Sequence, residues 1–340
     1  MQIKLLLIGI LLIQACSPTR EIVTTGSIER LDPALDSVLS RDAKVEIIAT
    51  GFDWSEGPLW VENKQMLLFS DVPKNIVYKW TEQKGAEPYL SPSGYTGSQP
   101  RGGEMGSNGL TFDDEGNLVL CQHGDRRLAM MDAPLDSPKA VFTTIAGKFF
   151  NNRFNSPNDA VIHNHDFYLT DPPYGLEKQM DDPQKEIAYQ GVYRVSAGGT
   201  VSSLVDSLTR PNGIAFSPDG KYLFVANSDP NKARWYRYTL RNDPTSEEVE
   251  GGVALTDGKI FFDATSMTAT GKGLPDGMKI DSRGTVFASG PGGVYIFNPD
   301  GKLLGKINLQ EATSNCALSA DEKTLFVTND MNILRIKMRP

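Results

Sequence analysis

The sequence predicts an all-β protein built as a six-bladed β-propeller, and three observations carry that expectation. The first is a phrase repeated along the chain: a polar loop ends in an oxygen-bearing side chain, then come a short strand, a turn and a second strand. It is fullest at Arg210-Pro-Asn-Gly213, where Ile214, Phe216, Leu223 and Val225 keep strand alternation around the turn Ser217-Pro-Asp-Gly220. The second is its recurrence. Glu56, Asn108, Asn158, Asn212, Asp276 and Asn315 hold the same place in six copies, at intervals of 52, 50, 54, 64 and 39 residues. A repeat of roughly 40–50 residues holding about four strands is the period of a propeller blade. The third is the residue type. Asn-Gly and Asp-Gly are plain turn chemistry in one copy, but a carboxylate or carboxamide kept in phase six times points six loops at a shared axis.

Taken in order, residues 1–15 read as a signal peptide: Lys4 precedes a nine-residue apolar run over 5–13. That run is far short of the ~20 residues that span a bilayer and suits a signal-peptide core. Ala15-Cys16 resembles the bacterial lipoprotein processing box, in which the cysteine becomes the lipidated first residue. An ordinary secretory signal with an incidental cysteine is the other reading, and both export the chain to the cell envelope. Residues 16–42 are polar without sustained periodicity and read as a tether. Residues 43–340 form the propeller domain, read as a monomer attached to a membrane only through the anchor.

Within that domain, Gln65-Met-Leu-Leu-Phe-Ser70, Ile76-Val-Tyr-Lys-Trp80, Leu118-Val-Leu-Cys121 and Gly293-Val-Tyr-Ile-Phe297 are examples of the strands that fill the blades. Lys44-Val-Glu-Ile-Ile-Ala49 has no partner nearby in sequence and is expected to be the outer strand of blade six, closing the ring and hiding an edge. Two loop-rich insertions, residues 89–105 and 172–190, are placed to wall the channel mouth, as long loops of this kind often carry function. Residues 241–248 read as a solvated excursion. With 34 basic and 42 acidic residues the net charge is −8, and no basic cluster with interleaved aromatics is present, which argues against nucleic acid as a partner. Cys121 and Cys316 fall in non-adjacent blades, so no disulfide is expected between them.

The ring itself carries the chemistry. Glu56, Asn158, Asn212 and Asp276 offer two carboxylates and two amide carbonyls. Such hard oxygen donors suit Ca²⁺ or Mg²⁺, and the ~6–8 coordination of Ca²⁺ leaves room for water and substrate. His123, His163 and His165 show no metal spacing, which disfavours zinc. The chain has no Gly-x-Ser-x-Gly elbow, no phosphate-binding Gly-Lys loop and no His-Glu-x-x-His. A metal site in the central channel makes ester or lactone hydrolysis the natural reaction.

Across residues 45–337 the chain resembles the senescence marker protein/gluconolactonase/luciferin-regenerating-enzyme family, nearest its bacterial gluconolactonase branch. The motifs that carry the resemblance are Glu56-Gly-Pro-Leu-Trp60, Ser107-Asn-Gly-Leu-Thr-Phe-Asp113, Cys121-Gln-His-Gly124, Asn155-Ser-Pro-Asn-Asp159, Thr170-Asp-Pro-Pro-Tyr-Gly175, Arg210-Pro-Asn-Gly213, Leu274-Pro-Asp-Gly-Met278 and Thr313-Ser-Asn-Cys316. The resemblance implies Ca²⁺, or another divalent ion such as Mg²⁺ or Zn²⁺, held by Glu56, Asn158, Asn212 and Asp276. It implies that Asn108 contacts the substrate or a metal-bound water, and that Asp276 doubles as general base. It makes a metal-dependent lactonase for a sugar lactone the leading expectation. A phosphotriester or aryl ester hydrolase on the same ring, and a non-catalytic surface-binding propeller, are the alternatives.

Several residues stay open between two readings. His123 either lines the channel and contacts substrate or is satisfied by backbone in its loop. Asp171 and Tyr174 either sit at the mouth, Tyr174 on the substrate, or belong to a rigid Pro-Pro-Tyr-Gly turn. Asp159 either ligates a second ion or orients Asn158, and Asn315 completes the ring in phase without serving as a ligand. For the leader the expectation is direct: expressed in a lipoprotein-processing host, the chain should partition into detergent, and Cys16→Ser should abolish that partition. Equal partitioning of both forms would remove the anchor.

Overall fold

The computed structural model describes residues 22–242 and 252–339. The leader, Cys16 and most of the excursion after Arg241 lie outside the described residues. Six antiparallel sheets follow one another around an axis. Blade one runs from the innermost strand Ser55–Val61 through Met66–Asp71 and Ile76–Thr81 to Gly85–Leu90. Blades two, three and four begin with Ser107–Phe112, Ala160–His163 and Pro211–Phe216. Blade five begins with Met278–Ile280 and blade six with Thr313–Leu318. The first four blades read outward in chain order, whereas blades five and six each end on a strand from the start of the chain; the outermost strand of blade six is Val45–Thr50, paired with Asn332–Lys337. The expected ring closure is therefore present, with Val45 opposite Ile336.

The strand period of two explains how the blades adhere. On the second strand of blade two, Leu118 and Leu120 pack toward blade one, while Val119 and Cys121 pack toward blade three. Both sides of a blade are therefore apolar, and each gap between neighbouring blades holds one buried cluster. Trp235, Tyr295 and Phe297 fill the gap between blades four and five, and Phe69, Trp80 and Phe326 the gap between six and one. Cys121 and Cys316 sit in different gaps as free thiols.

Residues 22–42 depart from the expected tether. Ser27–Arg30 is a fifth strand on the outside of blade five, paired with Leu303–Asn308. Pro33–Ser37 then forms a 3₁₀ turn capped by Asp32, whose carboxylate accepts from the Ala34 amide at 2.8 Å. That turn drops Leu35, Val38 and Leu39 into the gap between blades five and six, all at most 2% exposed. Arg30 locks the segment by donating to Asp36 at 2.7 Å and to the Ser40 carbonyl. Val23 accepts from the Ile47 amide at 2.9 Å, so the segment also covers the closing strand's outer edge. Polar composition hid this because one face of a short surface segment needs only three apolar side chains.

Burying such side chains stabilises by roughly 1.5–3 kcal/mol each. A chain beginning at residue 43 should melt at least about 10 °C below one beginning at residue 22 in a circular-dichroism melt. Equal melting temperatures would show that the segment only rests on the propeller.

Candidate active site in the channel

The repeated loop places one side chain per blade at the axis by a local irregularity. Strand register slips at Glu56/Leu59, Ser107/Leu110, Pro211/Ile214 and Thr313/Asn315, beside a ring residue in four innermost strands. A bulge of this kind bends a strand and re-aims a side chain. The residue after it must be small. At Gly57, with φ +51°, a Cβ would lie 2.1 Å from the Asn108 carbonyl of the next blade, and at Gly213 one would lie 2.2 Å from the Asp276 carbonyl.

Glu56, Asn108, Asn158, Asn212, Asp276 and Tyr174 all line one axial cavity of about 200 Å³. A larger cavity of about 610 Å³ lies on blade five beside Glu29, Tyr295 and Lys306, and no ring residue reaches it. Trp54, Glu104, Ser228 and Thr313 also line the axial cavity. Sequence reasoning followed one position per copy and so missed Trp54 and Thr313, two residues before Glu56 and Asn315, while Glu104 and Ser228 fall outside the repeated phrase. Residues 89–105 were expected at the mouth, yet nothing in that insertion distinguished Glu104 from its neighbours.

Two insertions are held over the mouth by Arg101. Its guanidinium donates to the Gly124 carbonyl at 2.9 Å and to the Gly175 carbonyl, and it stacks 5.4 Å from the Tyr95 ring. Asp171 is not at the cavity. It accepts from the Asn155 and Ser156 amides at 2.7 Å each, bracing the loop that presents Asn158. His123 is corrected too: it does not line the cavity, and no backbone group satisfies it. The ring is fully buried behind Glu104, both nitrogens lack a hydrogen-bond partner, and Nδ1 lies 3.5 Å from the Glu104 carboxylate.

Some of the oxygen atoms around the cavity are left free by their neighbours. Ser228 commits its proton to the Pro275 carbonyl, so it can only accept from Asn212, which presents Nδ2 at 3.0 Å. That leaves the Asn212 carbonyl oxygen for the cavity. Glu56 Oε2 accepts from the Gly57 amide at 2.9 Å. Asp276 Oδ1 is sealed from solvent without any partner. Beneath the ring, Asp159 Oδ1 accepts from the Ala160 amide at 2.9 Å, while its Oδ2 is buried and unpaired. Asn315 accepts from the Cys316 amide at 2.8 Å and stands 3.5 Å from Glu56, outside the cavity lining.

The electrostatic consequence is crowding of like charge. Burial pushes the Glu56 carboxyl up to about 8, with Asp159 and Glu104 adding to the rise. Burial, then the charges of Glu56, Asp159 and Glu104, push Asp276 well up. Asp159 is also raised, chiefly by burial. Burial and the nearby Asp276 keep the Tyr174 phenol protonated. Carboxylates held together this way are stabilised by a cation. Among the described residues no three His, Cys, Asp or Glu side chains are arranged to hold a metal. The donor set here is instead two carboxylates and two amide oxygens, all hard, which fits an alkaline-earth ion.

The family model described as the SMP-30/Gluconolactonase/LRE-like region matches residues 54–330. The chain belongs to this family. Its relatives include a gluconolactonase of Zymomonas mobilis, 39% identical over 323 residues that cover 93% of this chain and 87% of that protein. They also include the pentonolactonase XacC of Haloferax volcanii, 24% identical over 83% of each chain. A solved structure of a Xanthomonas campestris gluconolactonase superposes with a TM-score of 0.77 at 28% identity, covering 95% of this family member and 99% of that chain.

The carboxylate crowding sets a pH dependence. A carboxyl raised from its ordinary 4.5 to about 8 contributes stability that is complete below pH 4.5 and is lost as pH rises through about 8. The chelated protein should therefore lose melting temperature between pH 5 and pH 8.5. Glu56→Gln, or excess Ca²⁺, should flatten that loss. A chelated wild type equally stable at both pH values would contradict the strain at the ring.

Proposed function

We propose that the protein is a divalent-cation-dependent hydrolase of sugar lactones. One observation carries the reading: Glu56, Asn158, Asn212 and Asp276 converge on a single axial cavity, where Asp276 Oδ1 is sealed and unpartnered. Membership of the family and the 39% identity to a gluconolactonase support the substrate class. The four ring residues would hold the cation. When bound there, it supplies Lewis-acid polarisation of the lactone carbonyl.

The chain's own groups do the rest. Asp276, in the cavity lining beside the other ring residues, takes a proton from the water that attacks the carbonyl carbon. Collapse of the tetrahedral adduct breaks the ring C–O bond, and the proton returns to the departing ring oxygen, giving the open hydroxy acid. Asn108 and the protonated Tyr174 phenol offer hydrogen bonds to substrate hydroxyls, and Trp54 forms an apolar wall. The apolar run over 5–13 and Ala15-Cys16 support export with a lipid anchor.

Asp276→Asn should keep metal affinity within about tenfold yet lose on the order of 10²-fold or more in kcat on an aldonolactone. Glu56→Gln should weaken metal binding first, and excess Ca²⁺ should partly restore its rate. A pH-indicator assay on lactones, aryl esters and phosphotriesters, with calorimetry for the metal, reads both. Unchanged activity after chelation would remove the metal, and near wild-type turnover by Asp276→Asn would remove the base. Turnover of esters alone, or of nothing, would replace the lactone as substrate.

A further inference from the structure

Glu104 is the cavity-lining carboxylate that the ring does not use. It stands at the mouth with its side chain 34% exposed, on an insertion pinned at Arg101. Behind it the His123 imidazole is fully buried with neither nitrogen hydrogen-bonded. Leaving a buried polar group without a partner is costly, so an orphaned imidazole 3.5 Å behind a cavity carboxylate calls for an explanation. Its nearest acceptor is Glu104 Oε2, opposite Nδ1, at the outer limit of a hydrogen bond. Gly175 keeps the ring in place: a Cβ there would lie 2.6 Å from the His123 Cβ.

We propose that Glu104 is a specificity residue that accepts hydrogen bonds from the hydroxyl groups of a polyhydroxylated ligand, and that His123 is its positioning residue. A small inward movement of Glu104 on binding brings Oε2 onto the Nδ1 proton of His123. The other carboxylate oxygen is then fixed toward the cavity, where a hydroxyl donates to it. Charged acceptors make the stronger hydrogen bonds, and a site built to bond a hydroxyl discriminates against the analogue lacking it. The subsite thus sorts hydroxylated from bare rings, separately from the ring residues that act at the carbonyl. The proposal rests on the lactonase reading for its substrate class but not for its binding chemistry.

Two measurements test it on the metal-loaded protein. In the first, calorimetry follows a 1,5-anhydrohexitol, the sugar ring without the carbonyl. Wild type should bind it, Glu104→Ala should weaken binding about 10–100-fold, and His123→Leu should fall between. His123→Asn, which retains a donor at the Nδ1 position, should recover most of the affinity. A merely structural histidine would show no such recovery. In the second, Glu104→Ala should lower kcat/KM on an aldonolactone, mainly through KM, about 10–100-fold more than it lowers kcat/KM on δ-valerolactone.

If wild type fails to bind the anhydrohexitol, or Glu104→Ala binds it equally well, the subsite is overturned whatever the activity. Equal losses on both lactones would also overturn it, by placing Glu104 in the chemistry. If the polyol binds in the expected order while no lactone is hydrolysed, the subsite stands and the lactonase reading alone falls.

Discussion

Everything in this molecule depends on six backbones meeting closely around one axis. The Gly109 amide donates to the Asn158 carbonyl at 2.7 Å, and the Gly277 amide to the Ser314 carbonyl at 2.7 Å. Hydroxyls bridge other gaps: Ser70 donates to the Asn108 carbonyl at 2.9 Å, Thr170 to the Asn212 carbonyl at 2.7 Å, and Ser314 to the Ser55 carbonyl at 2.6 Å. Each bond joins one blade to the next at a ring residue or its immediate neighbour. The contacts that hold the propeller together are therefore the contacts that fix the position of the cavity oxygens, and little freedom remains for the site to relax.

That rigidity explains why like charges stay crowded at the axis. In a deformable pocket Glu56 and Asp276 would turn toward water. Here a register slip beside Glu56, and the glycine that follows each carboxylate, hold them inward: a Cβ at Gly57 would meet the Asn108 carbonyl and one at Gly277 the Asn315 side chain. Asn158 and Asn212 contribute oxygens without adding charge, which keeps the cost of the arrangement within what a divalent ion can offset. The fold stores electrostatic strain at its centre and holds it there through the blade seams.

The blade count and the ring positions that line the cavity were legible in the sequence because the fold repeats them, and the closing strand because it lacked a partner nearby in sequence. Periodicity amplifies a weak local signal: one Asn-Gly says turn, and several in phase say axis. What lay outside the repeat was not legible. Glu104 belongs to an insertion with no counterpart in other blades, so no phase marks it. His123 sits in a recognisable Cys-Gln-His-Gly stretch, yet its position behind the cavity depends on how residues 172–190 fold back over it. The segment from Ser27 to Leu39 shows only four alternating residues and scattered leucines, and its docking depends on a gap between blades five and six that exists only after folding.

The closing strand has a consequence for how the molecule is made. Val45 pairs with Ile336 and Ser27 with Asn308, so the start of the chain cannot reach its partners until nearly all of it has emerged. Until then blade five lacks its outer cover and blade six does not exist. Open edges of adhesive strand stay presented to the surroundings for the whole interval, and local contacts alone cannot end it. Maturation therefore finishes in a late step joining both ends of the chain, and a ribosome that stalls a few residues early leaves an open crescent in place of a slightly shorter ring.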